Sequence, residues 1–209
     1  MPRLIDPQLK NLSSLMSEMG ELTIQCTSLA IDSYLVGRNT VNEVKQMSDQ
    51  IRNRYYNLED IIFELILKFQ PVAEDFRLIR SSTEIAYAFL RLGRYAYDIT
   101  LVRDKFGDLS QCDNQWLYEV SNEVKSMIQD AILSFAELDI DRAEKIKQKE
   151  NFVDKVYKDR LSQLISSQNT KCALAEALVL RYLERIADHA EFMSYSVNYI
   201  VTGKHKDSF

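Results

Sequence analysis

RYLERIADHAEF, residues 181–192, sets Glu184 and Asp188 four positions apart with Arg181 and Arg185 interleaved. Residues at i and i+4 are neighbours on one helical face, so the two acids repel by about 0.2–0.5 kcal/mol unless a cation compensates. That cation is either an arginine of the same stretch or a bound metal ion. The stretch also has a counterpart earlier in the chain. A shift of 94 positions lays Arg185 on Arg91, Ile186 on Leu92, Ala187 on Gly93 and Ala190 on Ala96. Apolar positions align between any two amphipathic helices, but an arginine and small residues that keep register point to a duplication.

The same duplication runs outward from there. A shift of 102 sets Val44 opposite Ile146, Ile51 opposite Val153 and Tyr55 opposite Tyr157. The two shifts differ, which places a length change in a connecting turn, where it costs little. Between the matched blocks the chain has few breakers: prolines only at positions 2, 7 and 71, glycines at 20, 37, 93, 107 and 203. Apolar residues recur at three and four in Leu58, Ile61, Ile62, Leu65 and Ile66, and again in Ile85, Phe89, Leu92 and Ala96, which is the helical period. Breakers and polar clusters cut six helices, at about 6–36, 41–68, 74–105, 112–137, 142–165 and 171–201. Gly107 reads as the stop of the third helix and Asp108 or Ser110 as the cap of the fourth. Long helices joined by short turns pack as antiparallel bundles. The expected fold is all-α: six long antiparallel helices in two tandem three-helix bundles with a pseudo-twofold repeat, residues 1–107 and 108–209, packed end to end or side by side.

Composition narrows the function. In 209 residues, 46% hydrophobic content suffices for a sizeable core. A net charge of -5 and a pI near 5.2 offer no general attraction to nucleic acid or anionic lipid. No stretch has the roughly 18 consecutive apolar residues of a membrane span, and MPRLIDPQLK lacks the core of a secretory signal, so a cytoplasmic protein is expected. Cys26, Cys112 and Cys172 are widely spaced and form no C-x-x-C pair; each reads as a small buried hydrophobe, with no disulfide framework and no thiolate zinc site. Phosphate loops, G-x-S-x-G and H-E-x-x-H are absent. The E-x-x-H pairs of di-iron bundles are absent too, since His189 follows Glu184 by five residues. His189 is expected to pack between helices or to support the acids from behind, and Arg91 and Arg185 to bridge helices within each bundle, with phosphate capture as the alternative. The chain is expected not to be an enzyme.

RYLERIADHA followed by NYIVTGK resembles the signature of the PhoU family of phosphate-uptake regulators, and QPVAEDFRLI, residues 70–79, resembles that family's entry to its third helix, with Pro71, Asp75 and Arg77 in place. The resemblance spans nearly the whole chain. It implies a regulator that couples phosphate status to a phosphate ABC transporter, through its ATPase subunit, and to a sensor kinase. Membrane association would come through these partners alone; no nucleic acid partner is implied, and a homo-oligomer is left open.

The resemblance also implies metal clusters held by E/D-x-x-x-D motifs on neighbouring helices. Such motifs stand at Glu150 to Asp154 and Glu184 to Asp188. Four carboxylates suit divalent or trivalent ions such as iron, manganese or magnesium better than a structural zinc, although zinc remains among the candidates. In the first repeat the matching positions hold Leu90, Arg94 and Tyr95, and the nearest second-helix approach is Asp49 with Asn53. A cation beside Arg94 is unfavourable, so only the second repeat is expected to bind metal. Taken without the resemblance, E-x-x-x-D is an ordinary solvated face that Arg181, Arg185, Lys155 and Lys158 can neutralise. The alternatives are a metal-dependent phosphatase or oxygen-binding bundle, and a metal-free adaptor of another phosphate carrier.

Overall fold

Turn chemistry decides where each helix ends. The computed structural model describes residues 3–205 and contains six helices: α1 (Asp6–Val36), α2 (Val41–Phe69), α3 (Ala73–Phe106), α4 (Gln115–Glu137), α5 (Ile140–Leu164) and α6 (Thr170–Thr202). At 1.5 Å per residue these are rods of roughly 35 to 50 Å. Gly37 ends α1 at φ 82°, a left-handed conformation that costs glycine nothing, and its N–H donates to the Ser33 carbonyl. Gln70 takes the same role for α2 at φ 46°, and Pro71 then prevents continuation. Asp139 caps α5 by accepting from the Arg142 N–H at 3.0 Å, and Asn169 caps α6 by accepting from the Cys172 N–H at 3.1 Å.

One boundary departs from the sequence reading. Neither Asp108 nor Ser110 caps α4, which starts at Gln115 after Asn114 rather than at Cys112. The Asp108 carboxylate instead accepts the Ser110 N–H at 2.9 Å, and Asp113 accepts the Gln115 N–H at 3.1 Å. Such local side-chain bonds compete with helical ones and hold residues 107–114 as a connection. Within it Leu109 is buried.

α3 and α6 pack against one another along one seam and α1 against α4 along a second, while α2 touches only α1 and α3, and α5 only α4 and α6. The two three-helix groups therefore lie side by side, with α2 and α5 as the outer members. One contiguous apolar core joins residues of all six helices, among them Met16, Ile51, Phe89, Leu92, Val124, Val153 and Ile186. Small residues set the closest approaches. A Cβ on Gly20 of α1 would stand 3.0 Å from Ile132 Cγ2 of α4, and a Cβ on Gly93 of α3 would stand 2.9 Å from Ile51 Cδ1 of α2.

The cysteines correct the sequence reading. Cys26 is buried and free, as a small hydrophobe should be, but Cys112 and Cys172 form a disulfide with Cα atoms 5.4 Å apart. Sixty positions separate them in sequence, and only the packing of the α3–α4 connection against the start of α6 brings them together. No helix among the described residues is long and apolar enough to cross a membrane.

Candidate metal centre between the fifth and sixth helices

The antiparallel contact of α5 with α6 brings the four candidate acids onto one interface. Glu150 and Asp154 lie one turn apart on α5, Glu184 and Asp188 one turn apart on α6. A fifth acid, Glu191, belongs to the same cluster; it lies three residues beyond Asp188, and the E-x-x-x-D spacing did not point to it. Burial and the neighbouring charges of Glu191, Asp154, Asp188 and Glu184 push the Glu150 carboxyl from its ordinary 4.5 up to about 7. Burial also raises Glu184 and Asp188, in each case against the opposing pull of Arg185 and Arg181.

Cations already sit at three of these five acids. Glu184 is only 8% exposed, and both its carboxylate oxygens accept from Arg181 Nη1 at 2.8 Å. Arg185 reaches Glu184 at 3.4 Å and Asp188 at 3.2 Å. Lys158 donates to Asp154 at 2.6 Å, and Tyr195 donates to Glu191 at 2.5 Å. Arg181 also lies over the Tyr157 ring of α5, 5.7 Å from its centroid, which draws the guanidinium along the interface. Five carboxylates thus face three cations, and Glu150 has no lysine or arginine within ion-pair distance among the described residues. The donor chemistry suits a hard cation. The placement does not assemble one: among the described residues no three His, Cys, Asp or Glu side chains are set to hold a single ion.

His189, next to Asp188, points away from this chemistry. Its ring lies between Tyr87 at 6.4 Å and Tyr95 at 5.8 Å on the α3–α6 seam, the packing role expected of it. Burial, then Arg91 and Arg185, lowers it from 6.5 to about 4, so the imidazole is neutral.

The corresponding surface of the first half is built differently. Arg94 pairs with Asp98 at 2.9 Å, and Asp49 is held between Lys45 at 2.7 Å and Arg52 at 2.8 Å. Arg91 donates to the Tyr95 hydroxyl at 2.7 Å and lies 4.9 Å from the centroid of that ring. The expectation that Arg91 and Arg185 bridge helices is therefore corrected. Their bonds run to residues of their own helices, because the i+3 and i+4 neighbours are the nearest partners.

Sequence comparison covers both halves. The family model described as the PhoU domain matches residues 16–101 and again residues 117–197. The chain belongs to the PhoU family. Among curated PhoU relatives, a phosphate-specific transport system accessory protein PhoU homolog of Clostridium acetobutylicum is 29% identical, over 81% of this chain and 80% of the relative. A homolog of the same description from Synechocystis is 26% identical, over 95% of this chain and 91% of the relative. The crystal structure of PhoU from Pseudomonas aeruginosa superposes with a TM-score of 0.90 at 26% identity, covering 96% of this chain and all of that one. A regulatory PhoU structure from Streptococcus pneumoniae, at TM-score 0.78 and 19% identity, shares the fold.

Proposed function

We propose that this PhoU-family chain is a non-catalytic, cytoplasmic accessory protein of a phosphate-specific transport system, acting by contact with the ATPase subunit of the transporter and with a sensor kinase. The observation that carries the reading is the match of the family in both halves, together with similarity over 80% and 91% of the length of two relatives named as accessory proteins of that system. The physical basis is a body of six long helices in which His189 stacks between Tyr87 and Tyr95, away from the acids. Long helical faces offer extended surfaces of the kind on which partner domains dock.

We further propose that Glu150, Asp154, Glu184 and Asp188 take up a hard cation, iron, manganese or magnesium ahead of zinc, when Arg181 and Arg185 turn aside. The support is the shortage of positive charge at Glu150. A bound cation would neutralise the acids and clamp α5 to α6, a structural contribution. The arginine pairs themselves favour a second reading, a metal-free adaptor whose guanidiniums serve in place of the ion.

Both readings meet one experiment. Tagged protein is purified from phosphate-replete cells, its partners are identified, and its metal is measured beside a Glu184→Gln/Asp188→Asn variant. Co-purification of the transporter ATPase supports the accessory role, and recovery of other partners only, with none of the transport machinery, overturns it. Metal in the wild type but not in the variant supports the ion; no metal in either leaves the arginines as the cations of the site.

A further inference from the structure

The Cys112–Cys172 bridge stands apart from the carboxylate cluster and has no part in the transport reading. It joins the α3–α4 connection, residues 107–114, the longest connection between helices among the described residues, to the first turn of α6. Both cysteines are half-exposed, so a reductant can reach them. Cys172 is the third residue of α6, capped through its N–H by Asn169, and helical side chains lean toward the N-terminus of their helix. A thiolate released there meets the positive end of a 33-residue helix and is a good leaving group.

What the bridge holds is also visible. Upstream, Leu109 is buried and the Asp108 carbonyl accepts from Lys171 Nζ at 2.7 Å, so the first part of the connection has anchors of its own. Downstream, the N-cap residue of α4, Asn114, makes no side-chain cap bond, and Asp113 accepts only the first N–H of the helix, that of Gln115. Its first turn carries Trp116, the sole tryptophan of the chain, whose ring lies 4.6 Å from the Arg160 guanidinium carbon. Arg160 in turn donates to the buried Glu176, one turn after Cys172, at 2.9 Å. Cys112 also lines a cavity of about 360 Å³ with Leu35, Val36 and Arg103 at the far end of α1. The bridge is thus the covalent tie on residues 110–116, whose other polar restraints are short-range bonds such as those of the Ser110, Cys112 and Gln115 N–H groups to Asp108, Leu109 and Asp113.

We propose that this disulfide is a reversible redox clasp: a dithiol reductant opens it, freeing residues 110–116 and the cavity they line, and the disulfide form of that reductant closes it. In the opening step a thiolate of the dithiol attacks Sγ of Cys112, the bond between the two cysteines breaks, and Cys172 leaves as thiolate. The second thiolate of the reductant then attacks its own sulfur in the mixed disulfide and expels Cys112 as thiolate. Two electrons pass to the protein, the reductant ends as a disulfide, and the protein thiolates take protons from solvent.

The test uses the full chain, with dithiothreitol in its reduced and oxidised forms as the probe. Thiols are counted in denaturant after equilibration of the folded protein, while tryptophan emission and amide exchange are followed in the native state. The expected result is one thiol when oxidised and three when reduced, reversibly. Reduction is expected to red-shift the tryptophan emission and to speed exchange in residues 110–116 roughly tenfold or more, with helix interiors unchanged. Cys172→Ser should mimic the reduced state and lose the response, and Cys26→Ser should keep it. Three thiols in the oxidised sample, reduction only in denaturant, or identical emission and exchange in both states would each overturn the proposal. The wild-type comparison needs no substitution, so a variant that fails to fold does not blunt it.

Discussion

Gly93 and Ile51 meet across the α2–α3 contact so closely that a Cβ on Gly93 would stand 2.9 Å from the Ile51 Cδ1 methyl, while Ile51 Cβ and Cγ2 lie at 3.5 Å. In the second half the aligned positions hold Ala187 and Val153, both buried. One repeat omits the methyl on α3 and keeps it on α2; the other keeps it on α6 and omits it on α5. The total is unchanged, as volume-conserving exchanges in a packed core require.

Gly93→Ala alone is therefore expected to destabilise the fold by about 1 kcal/mol or more, because overpacking outweighs the better helix propensity of alanine. In an Ile51→Val background the offending methyl is gone, and the same change should be neutral or stabilising by up to about 1 kcal/mol. Urea unfolding of the four proteins of this cycle measures the coupling; additive effects would refute the exchange of volume.

Glu150 makes stability depend on pH. Its folded value of about 7 lies above its ordinary 4.5, so the folded chain holds that proton more tightly than the unfolded chain. Its contribution is fully present below about pH 4.5 and is lost as pH rises through 7. In metal-free buffer, Glu150→Gln should flatten the fall in unfolding free energy between pH 5 and 8 and exceed the wild type at pH 8. Parallel pH profiles for the two proteins would show that the acid cluster does not couple to folding.

His189 acts with the opposite sign. Its folded value of about 4 lies below the ordinary 6.5, so the unfolded chain binds the proton first and stability drops as pH falls from 6.5 toward 4. His189→Phe keeps a ring between Tyr87 and Tyr95 and should remove that acid sensitivity. Thermal unfolding at pH 5 and pH 7.5 is the check, and an undiminished acid loss in the variant would count against a buried neutral imidazole.

Arg181 holds both oxygens of the buried Glu184, so Arg181→Gln should cost about 1–3 kcal/mol at pH 8 by leaving that acid without its donor. If the cluster accepts cations, millimolar manganese or magnesium should restore much of the loss in this variant and do less for the wild type. Calorimetric melts with and without the ion decide it, with an equal response of both proteins marking a cation effect unrelated to the site.

The helices were legible because local signals suffice for them. Val36-Gly37 and Phe106-Gly107 end helices through glycine, and the three–four spacing of Leu58, Ile62 and Leu65 or Phe89, Leu92 and Ala96 marks the faces that are buried. The start of α4 was not legible at Cys112, since Asp108 and Asp113 could as well cap a helix as hold a turn. Of the candidate site, Glu184 and Asp188 stood out by their spacing, Glu150 and Asp154 entered through what the family resemblance implies, and the facing of α5 on α6 followed from the short connection between them. Glu191 could not be read, because it enters only through the antiparallel register.

The amino-acid sequence by itself determined the six helices, the duplication and the family, all of which rest on periodicity and motifs within a few turns of chain. Tertiary structure alone decided that the two halves lie side by side on the α3–α6 and α1–α4 seams and that Cys112 meets Cys172 across 60 residues. The reason is physical: an i+4 spacing sets which residues share a helical face, but which face meets which is settled by packing complementarity between elements distant in sequence, such as Gly20 against Ile132 and Gly93 against Ile51.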